Sequence, residues 1–301
     1  MKLAITGGTG FVGARLLSAA TSNGHVVRAL TRRAMDPRPG VDWVAGTLDQ
    51  SAALQALVEG ADAVIHVAGV INGRTAADFD SCNVEGTKTL LDAAQAGRVK
   101  KFVHVSSLAA REPKLSLYGA SKAKSEALVA ASALQWAIVR PPAVYGPGDK
   151  ETLELFKMAR RGLVLLPPAG RISLIHVDDL VSLLLALAEP GSPTGVTIEA
   201  DDGRPGGWTH GEFADALANA FGRRATNLSM PAAVLRLGAR ADRLLRGDAA
   251  KLTADRAAYF SHPDWVVDPA KAAPAEYWTP RIDTPQGLVA TAAWYRAQGW
   301  L

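Results

Sequence analysis

Tyr118 and Lys122 stand four residues apart, a spacing that puts both side chains on one face of a helix. A free phenol, with a pKa of about 10, is a poor acid or base at neutral pH. A neighbouring ammonium would stabilise the phenolate and pull that value down. The pair follows the run Lys101–Val105 and the serines Ser106 and Ser107. A serine at the carboxyl end of a central strand lies where ligands bind in open parallel sheets.

A second pattern carries binding chemistry. Gly7, Gly10 and Gly13 punctuate the loop Gly7-Gly8-Thr9-Gly10-Phe11-Val12-Gly13. Glycines spaced this way permit a tight turn, close approach of backbone to a pyrophosphate, and close helix-on-sheet packing. The helix that follows offers free N–H groups and the positive end of its dipole to the phosphates. The next apolar run ends in Thr31-Arg32-Arg33. A dinucleotide lacking a 2′-phosphate is usually met here by an acid, whereas an arginine suits the 2′-phosphate. Arg32 is the first candidate for that contact and Arg33 the second, so NADP is expected, with NAD possible.

These residues need elements to position them. Strands are expected near 2–6, 25–30, 42–45, 62–67, 101–106 and 135–140. Helices are expected near 11–22, 50–59, 80–97 and 117–133. The alternation implies βαβ units. Ala63-Val64-Ile65-His66-Val67 is continuous instead of alternating, as for a strand buried on both faces. The reading is an α/β fold: a doubly wound parallel sheet, the Rossmann fold, with a smaller C-terminal substrate-binding portion. Residues 1–150 form the core, 172–200 add a strand and a helix, and 151–301 cover the substrate. A strand over Ile172–Val177 should run into a helix capped by Asp178-Asp179. A further strand is expected over Val196–Glu199, and helices near 209–221, 231–245 and 284–298.

Composition narrows the classes. The chain has 301 residues, 48% apolar and 21% charged, with a net charge of +4. Its basic residues are scattered in pairs such as Lys100-Lys101 and Arg160-Arg161, without the concentrated stripe of a nucleic-acid binder. Cys82 is the single cysteine, so no intrachain disulfide forms. His, Asp and Glu show no metal-ligand spacing, and no metal is expected. Met1–Thr6 reads as a strand instead of a signal peptide, and the run Leu180–Ala188 is too short to span a bilayer. The expectation is a cytoplasmic protein with a small-molecule substrate and no membrane or nucleic-acid partner. It would be a monomer, or a homodimer through the alanine-rich helices near 87–97 and 119–133.

Together, the glycine loop with Ser107, Tyr118 and Lys122 resembles the short-chain dehydrogenase/reductase superfamily. The nearest branch is the extended one, the NAD-dependent epimerase/dehydratase family. His66-Val67-Ala68-Gly69, Asn83–Thr87, Arg140–Gly148 and Ile175–Asp179 stand in that family's order. The resemblance implies that Tyr118 is the general acid–base. Lys122 would bind the nicotinamide ribose and tune Tyr118, and Ser107 would hydrogen-bond the substrate carbonyl or hydroxyl, with Ser106 as the other occupant of that role. It further implies that Ala68 and Gly69 line the cofactor channel, and that Pro141 and Val144 contact the nicotinamide end.

Gly46-Thr47-Leu48 stands where the family often has Gly-Asp-Leu. Leu48 is therefore placed beside the cofactor, with the acidic adenine contact supplied by Asp49 or absent. Only eleven positions separate Ser107 from Tyr118, which implies a small pocket edge. Many sugar-nucleotide members carry an arginine four residues before the histidine of Ile175-His176-Val177; here that position is Ile172, with Arg171 beside it. Expected pocket residues are Val70, Ile71, Asn72, Leu108, Ala109, Val144 and the segment 163–168, mostly apolar. The activity implied is NADP-dependent hydride transfer to or from a small apolar carbonyl or secondary alcohol. The alternatives are a nucleotide-sugar epimerase or dehydratase with tightly held cofactor, and a non-catalytic NAD(P)H-binding assembly factor or redox sensor.

Overall fold

The structure, a computed structural model, describes residues 1–247 and 253–301. The first stretch alternates β1 (Lys2–Thr6), α1 (Phe11–Ser22), β2 (Val26–Thr31), β3 (Val41–Ala45), α2 (Ser51–Val58) and β4 (Ala63–His66). Then come α3 (Ala76–Asp80), α4 (Gly86–Ala96), β5 (Lys101–Val105), α5 (Leu117–Ala130) and β6 (Gln135–Arg140). The chain goes on through β7 (Ala143–Tyr145), α6 (Leu153–Arg161), β8 (Leu163–Leu166), β9 (Arg171–Ile172), β10 (Leu174–His176) and α7 (Val177–Ala188). It ends with β11 (Val196–Glu199), β12 (Trp208–Thr209), α8 (His210–Asn219), β13 (Thr226–Ser229), α9 (Ala232–Arg246), α10 (Ala254–Ser261), β14 (Asp264–Trp265) and α11 (Thr284–Ala297).

Two compact units divide the chain. The first comprises Met1–Pro141, Asp178–Ala200 and Ala270–Thr279. Its sheet runs in the order β11-β6-β5-β4-β1-β2-β3, and every pairing is parallel. The chain reverses direction of winding between β1 and β4, the position where doubly wound sheets open a crevice for ligands. Every residue of β4 and β5 is buried, which explains why both read as continuous runs and not as alternating ones. Helix α2 packs on this sheet through Leu54, Leu57 and Val58, and α4 through Leu90, Leu91 and Ala94.

Two expectations are corrected here. The helix expected over 80–97 is interrupted. Thr75 and Asp78 form a reciprocal capping box that opens α3, and a π-helical turn over Ser81–Glu85 follows before α4 begins. That turn buries Asn83. Asp178 and Asp179 do not cap α7, because Val177 already begins it and both acids lie in its first turn. There they complement the helix dipole, and Asp178 also takes two hydrogen bonds from Arg15, at 2.8 and 2.6 Å.

The second unit comprises Pro142–Val177, Asp201–Pro269 and Pro280–Leu301. Its strands are short and paired: β7 with β10, β8 with β13, and β9 between β12 and β14. Tyr145, Phe156, Trp208, Phe213, Leu288 and Tyr295 are buried in one cluster. Trp294 and Trp300 pack against that cluster, and Trp265 stacks on Tyr259 at 4.5 Å. Trp278 belongs to the first unit, where its indole N–H donates to Ser182 at 2.7 Å.

Candidate active site

The glycine loop leaves the carboxyl end of β1. Gly7 has a φ of 74°, in the left-handed region that glycine adopts without strain. A Cβ there would lie 2.6 Å from the Ala68 amide nitrogen, and one on Gly13 would lie 2.0 Å from the Gly7 carbonyl oxygen. No side chain fits at either place. Gly10 donates its N–H to the Gly7 carbonyl at 3.0 Å, closing the turn. Helix α1 then opens at Gly10 without a side-chain cap and without an acid in its first turn. Thr9 and Gly10 are exposed, and Phe11 and Val12 are half-buried. An uncapped helix start beside backbone-only clearance is the donor set that a pyrophosphate needs, so these residues fit a dinucleotide.

At the end of β2, Arg32 and Arg33 are both exposed. Thr31 holds the Arg33 backbone, its hydroxyl donating to the Arg33 carbonyl at 2.8 Å. The Arg32 side chain is unpaired among the described residues and free to meet an anion. Leu48 is half-buried and packs against Gly86, where a Cβ would lie 2.9 Å from it. Asp49 accepts a short hydrogen bond from the Thr47 hydroxyl, which holds its carboxyl below the usual range.

The groups that could transfer protons lie just after β5 and on α5. Ser107 is extended and caps a 3-10 turn over Leu108–Arg111, its hydroxyl accepting from the Ala109 amide at 3.2 Å. This turn fills much of the short span before α5. Ser116 caps α5 by accepting from Gly119 at 2.9 Å. Gly119 lets α5 lie against that turn: a Cβ there would be 2.6 Å from the Ala109 carbonyl. Tyr118 therefore sits in the first turn of α5, with Phe79 of α3 at a ring distance of 6.1 Å. The Ser107 and Tyr118 hydroxyls are hydrogen-bonded to each other.

Lys122, one turn further on, is buried and donates to the Val105 carbonyl at 2.7 Å. Gly69 stands beside it, a Cβ there falling 3.9 Å from the Lys122 ammonium. Ala68 donates to the Thr6 hydroxyl at 3.3 Å. Pro141 accepts from Leu108 at 3.0 Å, and Val144 lies on β7 in the second unit.

Electrostatics differ from the simplest expectation. Burial pushes the Tyr118 phenol above its ordinary pKa, and the Ser107 hydrogen bond only partly offsets this. Burial pushes Lys122 itself down to about 8, while the Glu126 carboxylate works to keep it charged. A neutral phenol beside an ammonium at neutral pH is suited to donating a proton.

Glu126 extends the Tyr118–Lys122 face by one more turn. It accepts from Ser106 at 2.5 Å and from the Arg140 guanidinium at 2.9 and 2.6 Å. Arg140 also donates to the fully buried Glu199 at 3.2 Å. Arg111 and Lys271 lie 3.8 and 3.6 Å from that carboxylate. Ser106 is thus committed to this network and faces away from the role Ser107 can fill.

Asn83, which opens the Asn83–Thr87 motif, has a hydrogen-bonding role that the sequence does not show. Its amide accepts from Val70 at 2.7 Å and donates to the Val70 carbonyl and the Ser121 hydroxyl at 3.0 and 2.9 Å. It ties the β4–α3 loop to α5. The histidines are structural. His66 bonds Thr6 and Thr87 at 2.7 and 2.9 Å, and burial pushes its pKa down to about 3. His104 bonds Ser125 at 3.0 Å and is likewise held neutral by burial. Cys82 is half-buried with its thiol pushed up by burial. Among the described residues no cluster of His, Cys, Asp or Glu could hold a metal ion.

The pattern of the NAD-dependent epimerase/dehydratase family matches residues 3–198. The chain belongs to that family. Ceramide reductase of Caulobacter vibrioides is 39% identical over 310 residues, covering 99% of this chain and 96% of that protein. A ketoreductase of Stigmatella aurantiaca, named for 4-hydroxy-2-methyl-3-oxo-4-farnesyl-3,4-dihydroquinoline-1-oxide, is 32% identical over 232 residues. That match covers 68% of this chain and 69% of the relative. The structure of the Bordetella bronchiseptica enzyme WbmG in complex with NAD superposes with a TM-score of 0.78 at 20% identity. It covers 99% of this chain and 95% of that one, and shows the fold, the Rossmann arrangement expected. This epimerase/dehydratase-family member is an NAD(P)-dependent oxidoreductase of the extended short-chain dehydrogenase/reductase type.

Proposed function

We propose that the protein is an NADP-dependent reductase of a carbonyl on a long-chain, ceramide-like lipid. The observation that carries this reading is the hydrogen-bonded Ser107–Tyr118 pair beside the buried Lys122, joined to a chain whose full length matches a ceramide reductase. The Gly7–Gly13 loop, with Thr9, Phe11 and Val12, holds the pyrophosphate. Arg32, supported by Arg33, meets the 2′-phosphate. Leu48 covers the adenine side, and Ala68, Gly69 and Pro141 line the nicotinamide side. When bound, the nicotinamide supplies the hydride.

The chain's own residues handle the proton and the geometry. Ser107 donates a hydrogen bond to the substrate oxygen and holds it against Tyr118. Tyr118, kept neutral by burial, gives its proton to that oxygen as charge develops there. Lys122 stabilises the phenolate left behind and holds the nicotinamide ribose. Glu126 keeps Lys122 charged, and Arg140 with Glu199 fixes Glu126 in place.

The nucleotide-sugar reading has weaker support. Ile172 cannot clamp a diphosphate, and the neighbouring Arg171 is committed to the carbonyls of Gly206 and Gly207, at 2.6 and 3.1 Å. A panel in detergent micelles tests the choice. NADPH should be consumed with long-chain keto-amide lipids, and UDP-glucose should neither react nor compete. Conversion of UDP-glucose by protein carrying tightly held NAD would reverse the assignment.

A further inference from the structure

Helix α9 buries one narrow face and, among the described residues, leaves a second apolar face uncovered. Leu235 and Ala239 point inward and pack with Ala257 of α10 and Met230. Val234, Leu237, Leu244 and Leu245 point outward, with 49%, 66%, 87% and 85% of their surface exposed. With Ala241 they span an arc of about 100° around the helix axis. Four large aliphatics on one exposed arc are more than the scattered apolar surface of a monomeric protein requires.

The charges beside that arc say what covers it. Arg236 and Arg240 are exposed along one edge. Asp242, the acid within the helix, is paired with Arg246 at 3.3 Å. The exposed charge beside the leucines is therefore positive. An apolar arc edged by arginines on one helix is complementary to an anionic membrane surface, whose acyl boundary takes the leucines and whose phosphates take the guanidiniums. No described helix is long and apolar enough to cross a membrane.

We propose that α9 docks the protein on the surface of an anionic bilayer, with Leu237, Leu244 and Leu245 in the acyl boundary and Arg236 and Arg240 at the headgroup phosphates. The inference rests in part on the reading of a lipid substrate, because such a compound resides in bilayers and docking raises its local concentration. It amends the sequence expectation of no membrane partner: the protein lies on a membrane without spanning it.

Co-sedimentation of the full chain with vesicles tests this without any substrate. The protein should bind vesicles of phosphatidylglycerol and phosphatidylcholine, bind pure phosphatidylcholine more weakly, and be released by salt. The combined Leu237→Ser, Leu244→Ser and Leu245→Ser variant should lose binding by at least about tenfold. Arg236→Gln with Arg240→Gln should lose it on the order of tenfold for anionic vesicles only. Tm and NADPH binding should match the parent in both variants, because the substituted side chains are exposed. No binding by the parent, or parental binding by the leucine variant, overturns the proposal. So does a dimer that the leucine variant converts to monomer while vesicles are ignored, which would make a second copy the occupant. If vesicles are bound but no lipid ketone is reduced, the substrate reading fails and the docking stands. Reduction of micellar lipids without vesicle binding removes the docking alone.

Discussion

In the first unit, β4 and β5 are buried along their whole length, Ser107 follows β5, and Tyr118 and Lys122 lie on α5. In the second, paired strands run two to four residues, and β8 alternates exposed Leu163 and Leu165 with buried Val164 and Leu166. On the function proposed above, the difference follows from what each unit handles. A dinucleotide presents phosphates at fixed separations, and only backbone amides and glycines at fixed spacing meet them. An apolar chain asks for area without fixed positions, so many sequences serve. Substitutions in the first unit should therefore act on chemistry and cofactor, and those in the second on substrate affinity alone.

The largest expected effect is Tyr118→Phe, which removes the proton donor and keeps the ring. It should lower kcat by about 10²–10⁴-fold with little change in NADPH binding, measured by turnover and fluorescence titration on the same sample. Ser107→Ala should approach that loss, because Ser106 is held by Glu126 at 2.5 Å and cannot replace it. Parental turnover by Tyr118→Phe would remove the contrast between the units at its strongest point.

The pH profile sharpens the same contrast. Lys122 titrates at about 8 and Tyr118 above its ordinary value, so the lysine loses its proton first as pH rises. Reduction should be steady at neutral pH and fall as pH passes about 8, where the ammonium is lost. Glu126→Gln removes the carboxylate that keeps Lys122 charged and should move that limb to lower pH. A limb that stays in place would reduce Glu126 to a structural partner of Arg140.

Cofactor choice is a smaller effect. Arg32→Ala should weaken NADPH binding by about 1.5–3 kcal/mol, the worth of a charge-assisted contact, and leave NADH binding unchanged. Equal affinities for the two cofactors in the parent would contradict the NADP assignment. Smallest of all, Leu165→Ser on exposed β8 should raise KM for an apolar substrate about fivefold, with kcat and cofactor binding unaltered.

The same contrast separates what is legible in the sequence from what is not. The β1–loop–α1 unit, the strands of the parallel sheet and the Tyr118–Lys122 face are legible because each is local, set by a spacing of two, three or four residues. The Glu126–Arg140–Glu199 network is not, because its members come from α5, β6 and β11 and meet only when those elements pack. Asn83 is hidden by the π-helical turn, which breaks the regular helical period that the pattern over 80–97 suggests. The helix start at Val177 escapes because acids favour a helix cap and its first turn alike. The short strands of the second unit lack enough residues for any period to show.

On the proposed function, hydride passes from the nicotinamide to a lipid carbonyl while Tyr118 supplies the proton. The direct measurement is mass spectrometry of the product formed from a long-chain keto-amide lipid and NADPH carrying deuterium at both C4 positions of the nicotinamide. One deuterium is expected on the new carbinol carbon with the parent, and hundreds-fold less product with Tyr118→Phe, on the order expected for loss of a positioned acid. Product without deuterium, or equal yield from Tyr118→Phe, would contradict it.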